Sequence, residues 1–367
     1  MHVSVRANLM FALLHQIYAA APQNPSPSFE TLSQQAQAAR DAHQLEKAVE
    51  LYQQALKLKP NWEDGLWSLG SIAYDLDRYS DCASAFQTLS KLKPDGAPGW
   101  TMSGLCEYKL RNYASALDSL THVEQLGFNE NAELARAARL HYALILSKTG
   151  TFEKAIATLT DLTRVDKKTP EIIVAAGIAG LRRPWLPAEV PESERELVYR
   201  LGDAMASAME FDYAAANRKF EELLQAYPSE PTVHFRYGAL LHIQDADRGI
   251  EEIRKAVELA PDHVPALVSL SVILLKQEDA KGALEYAERA VKASPNDFST
   301  HVVLGRALLA TEEPARAAVE LEKAVNLAPG FPEAHFSLAT AYNRLGRKAD
   351  AAREQAEFKR LAHLGGK

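Results

Sequence analysis

Three histidines are the first residues to test for chemistry. His234, His301 and His335 each take the fourth position of a helical segment, and the last two are 34 residues apart. Histidine is a common metal ligand and an acid–base group near neutral pH. The spacing argues against a metal, because 34 residues is a structural beat in this chain. Equivalent side chains on neighbouring repeats stand about 8–10 Å apart, whereas zinc holds its ligands at about 2 Å. These histidines are read as packing residues.

The two cysteines, Cys82 and Cys106, cannot form a four-thiolate zinc site. Cys82 takes a small core position and Cys106 falls on the next first helix. Buried free thiols are expected, and export would open a disulfide between them. Glu251, Glu252, Glu320 and Glu322 fall on helical exteriors and read as solvated faces. The sequence holds no phosphate loop, no G-x-S-x-G elbow, no H-E-x-x-H pair and no G-x-G-x-x-G after a strand. No catalytic residue, cofactor or metal is assigned, and the chain is not read as an enzyme.

The elements that position these residues follow from an internal repeat. Segments such as LEKAVELYQQALKLKP (45–60), DRGIEEIRKAVELAP (247–261) and PARAAVELEKAVNLAP (314–329) are amphipathic helices that end in proline. A small residue recurs within the second helices: Ala48, Cys82, Ala116, Ala155, Ala216, Gly249, Ala283, Ala317 and Ala351. The gaps are 34, 34, 39, 61, 33, 34, 34 and 34, so nine units are visible. The preceding helix of each unit carries Ala36, Gly70, Gly104, Ala143, Ala204, Gly238, Ser271, Gly305 or Ala339. Antiparallel helices that cross closely leave no space for a large side chain there.

This pattern resembles the tetratricopeptide repeat family over residues 29 to 365. Leu66, Leu69, Gly70, Tyr74, Phe86 and Pro94 match its motif, as do Trp100, Gly104 and Tyr108, and Ala317, Ala324 and Pro329. The resemblance implies an all-α, right-handed α-solenoid of about nine helix-turn-helix units. Two departures stand out. The unit 97–130 has Gly127-Phe128 in place of its closing proline, and 136–169 ends Asp166-Lys167-Lys168.

The largest irregularity lies at 170–196. EIIVAAGIAGL (171–181) reads as an apolar helix, and Pro184, Pro187 and Pro191 then forbid helix continuation. The segment is a degenerate repeat or a docking loop anchored by Trp185 and Leu186. The expected organisation is therefore a leader and spacer at 1–28, an N-terminal array at 29–169, an irregular segment at 170–196, and a C-terminal array with a capping helix at 197–367.

Composition bounds the partners. The 367 residues hold 41 Lys+Arg against 48 Asp+Glu, a net charge of −7, which lacks a basic footprint for nucleic acid. No stretch approaches the about 18 apolar residues of a membrane span. Arg6, the apolar run LMFALLHQIYAAA (9–21) and the spacer PQNPSPS (22–28) outline a secretory leader, although His15 and Gln16 interrupt it. Export to a periplasm or the exterior is the favoured reading, with an amphipathic start of a cytoplasmic protein as its alternative.

The family resemblance implies a scaffold that binds peptide segments or partner helices on the concave face lined by first helices. By register that face carries Trp67, Tyr74, Tyr108, Leu140, Phe235, His242, Arg306, Asn343 and Arg344. Recurring Lys/Asn pairs, which clamp a peptide's terminal carboxylate in some members, do not appear. The alternatives are a recruiting subunit of a separate enzyme, and an enzyme that uses the loop 182–196 with Trp185 and Glu192.

Overall fold

The computed structural model describes residues 27–128 and 131–364. The expected leader and most of the expected spacer lie outside these residues. Among the described residues every regular element is helical, with nineteen α-helices and two short 3-10 turns. None of these helices is long and apolar enough to cross a membrane. The chain divides into two compact units, 1–127 and 128–367.

The first unit holds three helical hairpins. They are α1 (Phe29–Asp41) with α2 (Leu45–Leu58), α3 (Glu63–Asp75) with α4 (Tyr79–Leu92), and α5 (Ala97–Lys109) with α6 (Tyr113–Leu126). Gly127, at φ 78°, ends α6 where the other hairpins close on proline. Small residues set the spacing within each hairpin. A Cβ on Gly70 would stand 2.5 Å from the Phe86 ring, and one on Gly104 would stand 2.7 Å from Leu120. Cys82 on α4 and Cys106 on α5 are fully buried and joined as a disulfide, with Cα atoms 6.0 Å apart. This corrects the expectation of free thiols: the small position of one hairpin faces the first helix of the next, and cysteine fills both sides.

The second unit begins with α7 (Ala132–Lys148) and α8 (Phe152–Val165), then the single helix α9 (Pro170–Gly180). It continues with α10 (Arg195–Met209) and α11 (Tyr213–Ala226), α12 (Pro231–Gln244) and α13 (Ala246–Leu259), and α14 (Val264–Lys276) and α15 (Ala280–Ala293). The last two pairs are α16 (Phe298–Ala310) with α17 (Pro314–Leu327), and α18 (Pro332–Arg344) with α19 (Lys348–Leu364). The charged helix read as a cap is thus the second helix of the last hairpin.

The boundary between units falls at Gly127, and the segment 170–196 is built into the second unit. The reason is α9, which buries Ile172, Ile173 and Ile178. Gly177 of α9 and Gly202 of α10 let the two backbones touch: a Cβ on either would overlap a carbonyl of the opposite helix, Val198 or Ile173. The prolines break the helix as expected, but Leu186 and Val190 are buried and Lys148 bonds Glu189 at 2.7 Å. Leu186 is therefore an anchor within its own unit.

The turn inside most hairpins is the same. One residue adopts a left-handed conformation: Asp77, Arg111, Phe211, Glu278 and Glu312 have φ between 56° and 62°. The next N–H then reaches back to a helix carbonyl, as from Arg78 to Ala73 and from Glu313 to Leu308, both at 2.8 Å. This Schellman arrangement satisfies carbonyls that a helix end leaves free. The α12–α13 hairpin lacks the left-handed residue, and Asp245 ends one helix while capping the next through Arg248 N–H. That deletion explains the 33-residue gap. It also draws the helices together, so Gly238 and Gly249 face opposing backbone.

Two substitutions test this geometry. Gly177→Ala should destabilise the second unit by roughly 1–3 kcal/mol or more, because backbone cannot move aside as a side chain can. Glu278→Gly should stabilise it by about 0.5–1 kcal/mol by relieving the left-handed strain at an exposed site. Chemical denaturation reads both, and an unchanged midpoint would contradict the packing in the first case and the turn in the second.

Candidate binding surface

In the first unit Trp67 is the prominent feature. It lies on α3, stays 37% exposed, and meets Phe86 edge-on at 5.3 Å. Beside it opens a depression of about 320 Å³ lined by Trp67, Leu89, Gly96, Pro98 and Gly99, with Glu63, Asp64 and Lys93 at its rim. Lys93 pairs with Glu63, which leaves Asp64 as the rim's uncompensated charge within this set. Small residues open this space: Gly96 and Gly99 carry no side chain, and Pro98 sits in the first turn of α5, where its missing N–H is tolerated.

Tyr74 and Tyr108 are half-buried near the ends of their helices. Each meets the first residue of the following helix edge-on, Tyr79 at 5.7 Å and Tyr113 at 6.1 Å. Their rings brace the hairpin turns. The Tyr79 hydroxyl donates to Asp77, and the phenol is pushed up to about 12 by that bond.

In the second unit the expected residues separate into two groups. Leu140 and Phe235 are 9% and 5% exposed, so they belong to the core rather than to an open face. Phe235 packs in the core with Ile253 and Leu267 and tilts against His263 at 5.3 Å. His242 is half-buried, while Arg306, Asn343 and Arg344 are exposed. Arg344 is already engaged, donating to the Leu309 carbonyl at 2.6 Å.

An ionic cluster that the sequence reading missed sits in this unit. Arg236 of α12 donates to the Gly180 carbonyl at 3.1 Å and to both oxygens of Glu153. Arg182 donates to Glu153 at 2.7 Å. Burial works against the Glu153 carboxylate, but the two arginines outweigh it and hold its pKa below the usual range. Glu153 and Arg236 are 83 residues apart, so no local pattern announces the cluster. His263 is nearby in the electrostatic sense: burial first, then Arg182 and Arg236, push it down to about 4. Its Nδ1 accepts from the Ala266 N–H at 3.2 Å and caps α14, a role open only to an unprotonated nitrogen.

The three in-register histidines lie in the packed seams of their hairpins, each bonded at both ring nitrogens. Among the described residues no three His, Cys, Asp or Glu side chains converge as metal ligands. Glu252 and Glu320 are not fully solvated, since they are the histidines' partners.

Residues 29–62 match the tetratricopeptide repeat family, and residues 203–362 match the middle TPR-like domain of cilia and flagella-associated protein 70. Among solved structures the chain is similar to MamA from Desulfovibrio magneticus RS-1, with 24% identity, 45% of this chain and 93% of that chain covered, and a TM-score of 0.40. An RS-1 MamA double mutant gives 23% identity, 45% and 93% coverage, and 0.41. Another MamA crystal structure gives 20% identity, 44% and 96% coverage, and 0.40. These likenesses concern the fold alone. No curated protein shows significant similarity.

His263 has a defined pH signature. A histidine held at about 4 contributes stability above its ordinary value near 6.5 and loses it as the pH falls towards 4. The loss is on the order of 3 kcal/mol. His263→Asn keeps an acceptor for the cap and should flatten this part of the acid profile. An identical acid profile in both proteins, followed by circular dichroism, would rule the effect out.

Proposed function

Because the chain is a tetratricopeptide-repeat protein, we propose that it is a non-catalytic scaffold that holds protein partners. Peptide segments or partner helices dock against the first-helix faces. Trp67 carries this reading. A tryptophan left partly exposed in a depression that Leu89 and Pro98 also line offers large apolar area at low entropy cost, the signature of an interaction anchor. In the second unit Arg306 and Asn343 are exposed on first helices and offer polar contacts. Tyr74, Tyr108 and His242 stand at the margins of these faces. Leu140 and Phe235 support them from within the core.

Peptides selected from a random display library against the full chain provide the test. Trp67→Ala should weaken binders of the first unit at least about tenfold, about 1.4 kcal/mol, with the melting curve preserved. Arg306→Ala should act in the same direction on binders of the second unit. Selected peptides whose affinity is untouched by either change would move the binding surface to another face.

A further inference from the structure

The fourth position of the first helix carries a recurring polar arrangement. In three hairpins of the second unit a histidine there bridges two oxygens. His234 Nδ1 lies 2.7 Å from Glu252 and its Nε2 lies 2.9 Å from the Pro228 carbonyl. His301 does the same with Glu320 at 2.6 Å and Pro295 at 2.8 Å. His335 repeats it with Glu354 at 2.8 Å and Pro329 at 3.0 Å. The glutamate always stands at the seventh position of the second helix. The carbonyl always belongs to the proline that closes the preceding hairpin, six residues upstream.

The chemistry of the acceptors decides the state of the ring. A carbonyl oxygen and a carboxylate both accept and neither donates. A neutral imidazole has one N–H, so either neutral tautomer leaves a lone pair facing an oxygen. Only the doubly protonated ring satisfies both contacts. The histidines are almost wholly buried, with side chains 10%, 4% and 6% exposed, so water does not readily replace a lost bond. We propose that the hairpins α12–α13, α16–α17 and α18–α19 are closed by proton-dependent latches, each an imidazolium joining its own two helices to the hairpin before it.

Other charges surround each latch. Lys255 of α13 opposes the His234 charge, but the bond to Glu252 outweighs it and raises the histidine's pKa. The groove beside it adds Asp247, Glu251 and Glu258 against Arg254. Lys323 of α17 bonds Glu320, and burial also works against that carboxylate; the bonds from Lys323 and His301 nevertheless hold its pKa down. On α19 Arg353 reaches Glu354, while Glu357 faces His335 and is paired with Arg360. The preceding hairpins supply only the proline carbonyls among the contacts described. His263 has the opposite signature, since it loses its contribution towards acid.

One hairpin serves as an internal control. In α14–α15 the equivalent residues are Leu267 and Tyr286, so no latch exists. In α5–α6 Trp100 takes the position and donates to the Pro94 carbonyl at 2.9 Å, and His122 of α6 reaches the same carbonyl at 3.1 Å, so this hairpin is not a control.

A latch that needs its proton contributes fully at low pH and is lost as the pH rises. Hydrogen exchange on the full chain, corrected to protection factors at about pH 6 and about pH 9, reads each hairpin separately. The three latched hairpins should lose at least about tenfold protection over this range, while α14–α15 retains more of its own. Replacing all three histidines with Gln should abolish the difference. If the triple variant fails to fold, Glu320→Gln supplies the second readout, because it keeps an acceptor and removes the charge. It should reduce the alkaline loss in α16–α17 alone. Equal pH dependence in latched and unlatched hairpins, or an unaltered profile in these variants, would overturn the proposal.

Discussion

The close approach of two helices within a hairpin governs everything else in the structure. It requires a small residue where the opposing helix comes closest and a chain reversal of fixed length. Gly104 against Leu120 shows the first requirement, and the left-handed residue at Glu278 or Glu312 shows the second. Once both are met, the remaining apolar surface of a hairpin lies on its flanks, and only another hairpin can cover it. The stacking, the buried first-helix histidines and the exposed first-helix tryptophan all follow from that placement.

The α12–α13 hairpin shows how sensitive the arrangement is. Removing one residue from its turn eliminates the left-handed conformation and makes Asp245 serve two helices. The closer approach is then tolerated because both facing residues are glycine. The latch adjusts in register: His234 and Glu252 are 18 residues apart, whereas the other two pairs are 19 apart. The contact is maintained although the spacing changes, so the geometry rather than the sequence offset is what repeats.

Much of this fold was legible because its signals are local. The 34-residue beat, the closing prolines and the facing small residues each concern positions within one hairpin. The proline break at 184–191 was legible for the same reason. What escaped was set by contacts between distant segments. Leu140 and Phe235 have the register of face residues, yet both are buried. Glu252 and Glu320 read as solvated because a helical wheel shows the exterior but not the histidine that reaches it. Gly127 was visible as a departure from the repeat, and the placement of 170–196 within one compact unit depends on how α9 packs against α10. The Arg182–Glu153–Arg236 cluster has no signature in sequence, since its members meet only after the hairpins have stacked.

The bond between Cys82 and Cys106 has a mechanical meaning. It ties the second hairpin to the third inside the first unit, crossing a seam that packing and the hydrogen bond from Gln87 to Glu107 would otherwise hold. Pulling on the two ends of this chain would peel hairpins apart and lengthen it turn by turn. The residues between the two cysteines would add almost nothing to that extension, because the load passes through the sulfur atoms and bypasses them. The seam between these hairpins is therefore a covalent rivet in a structure whose other seams can slide open.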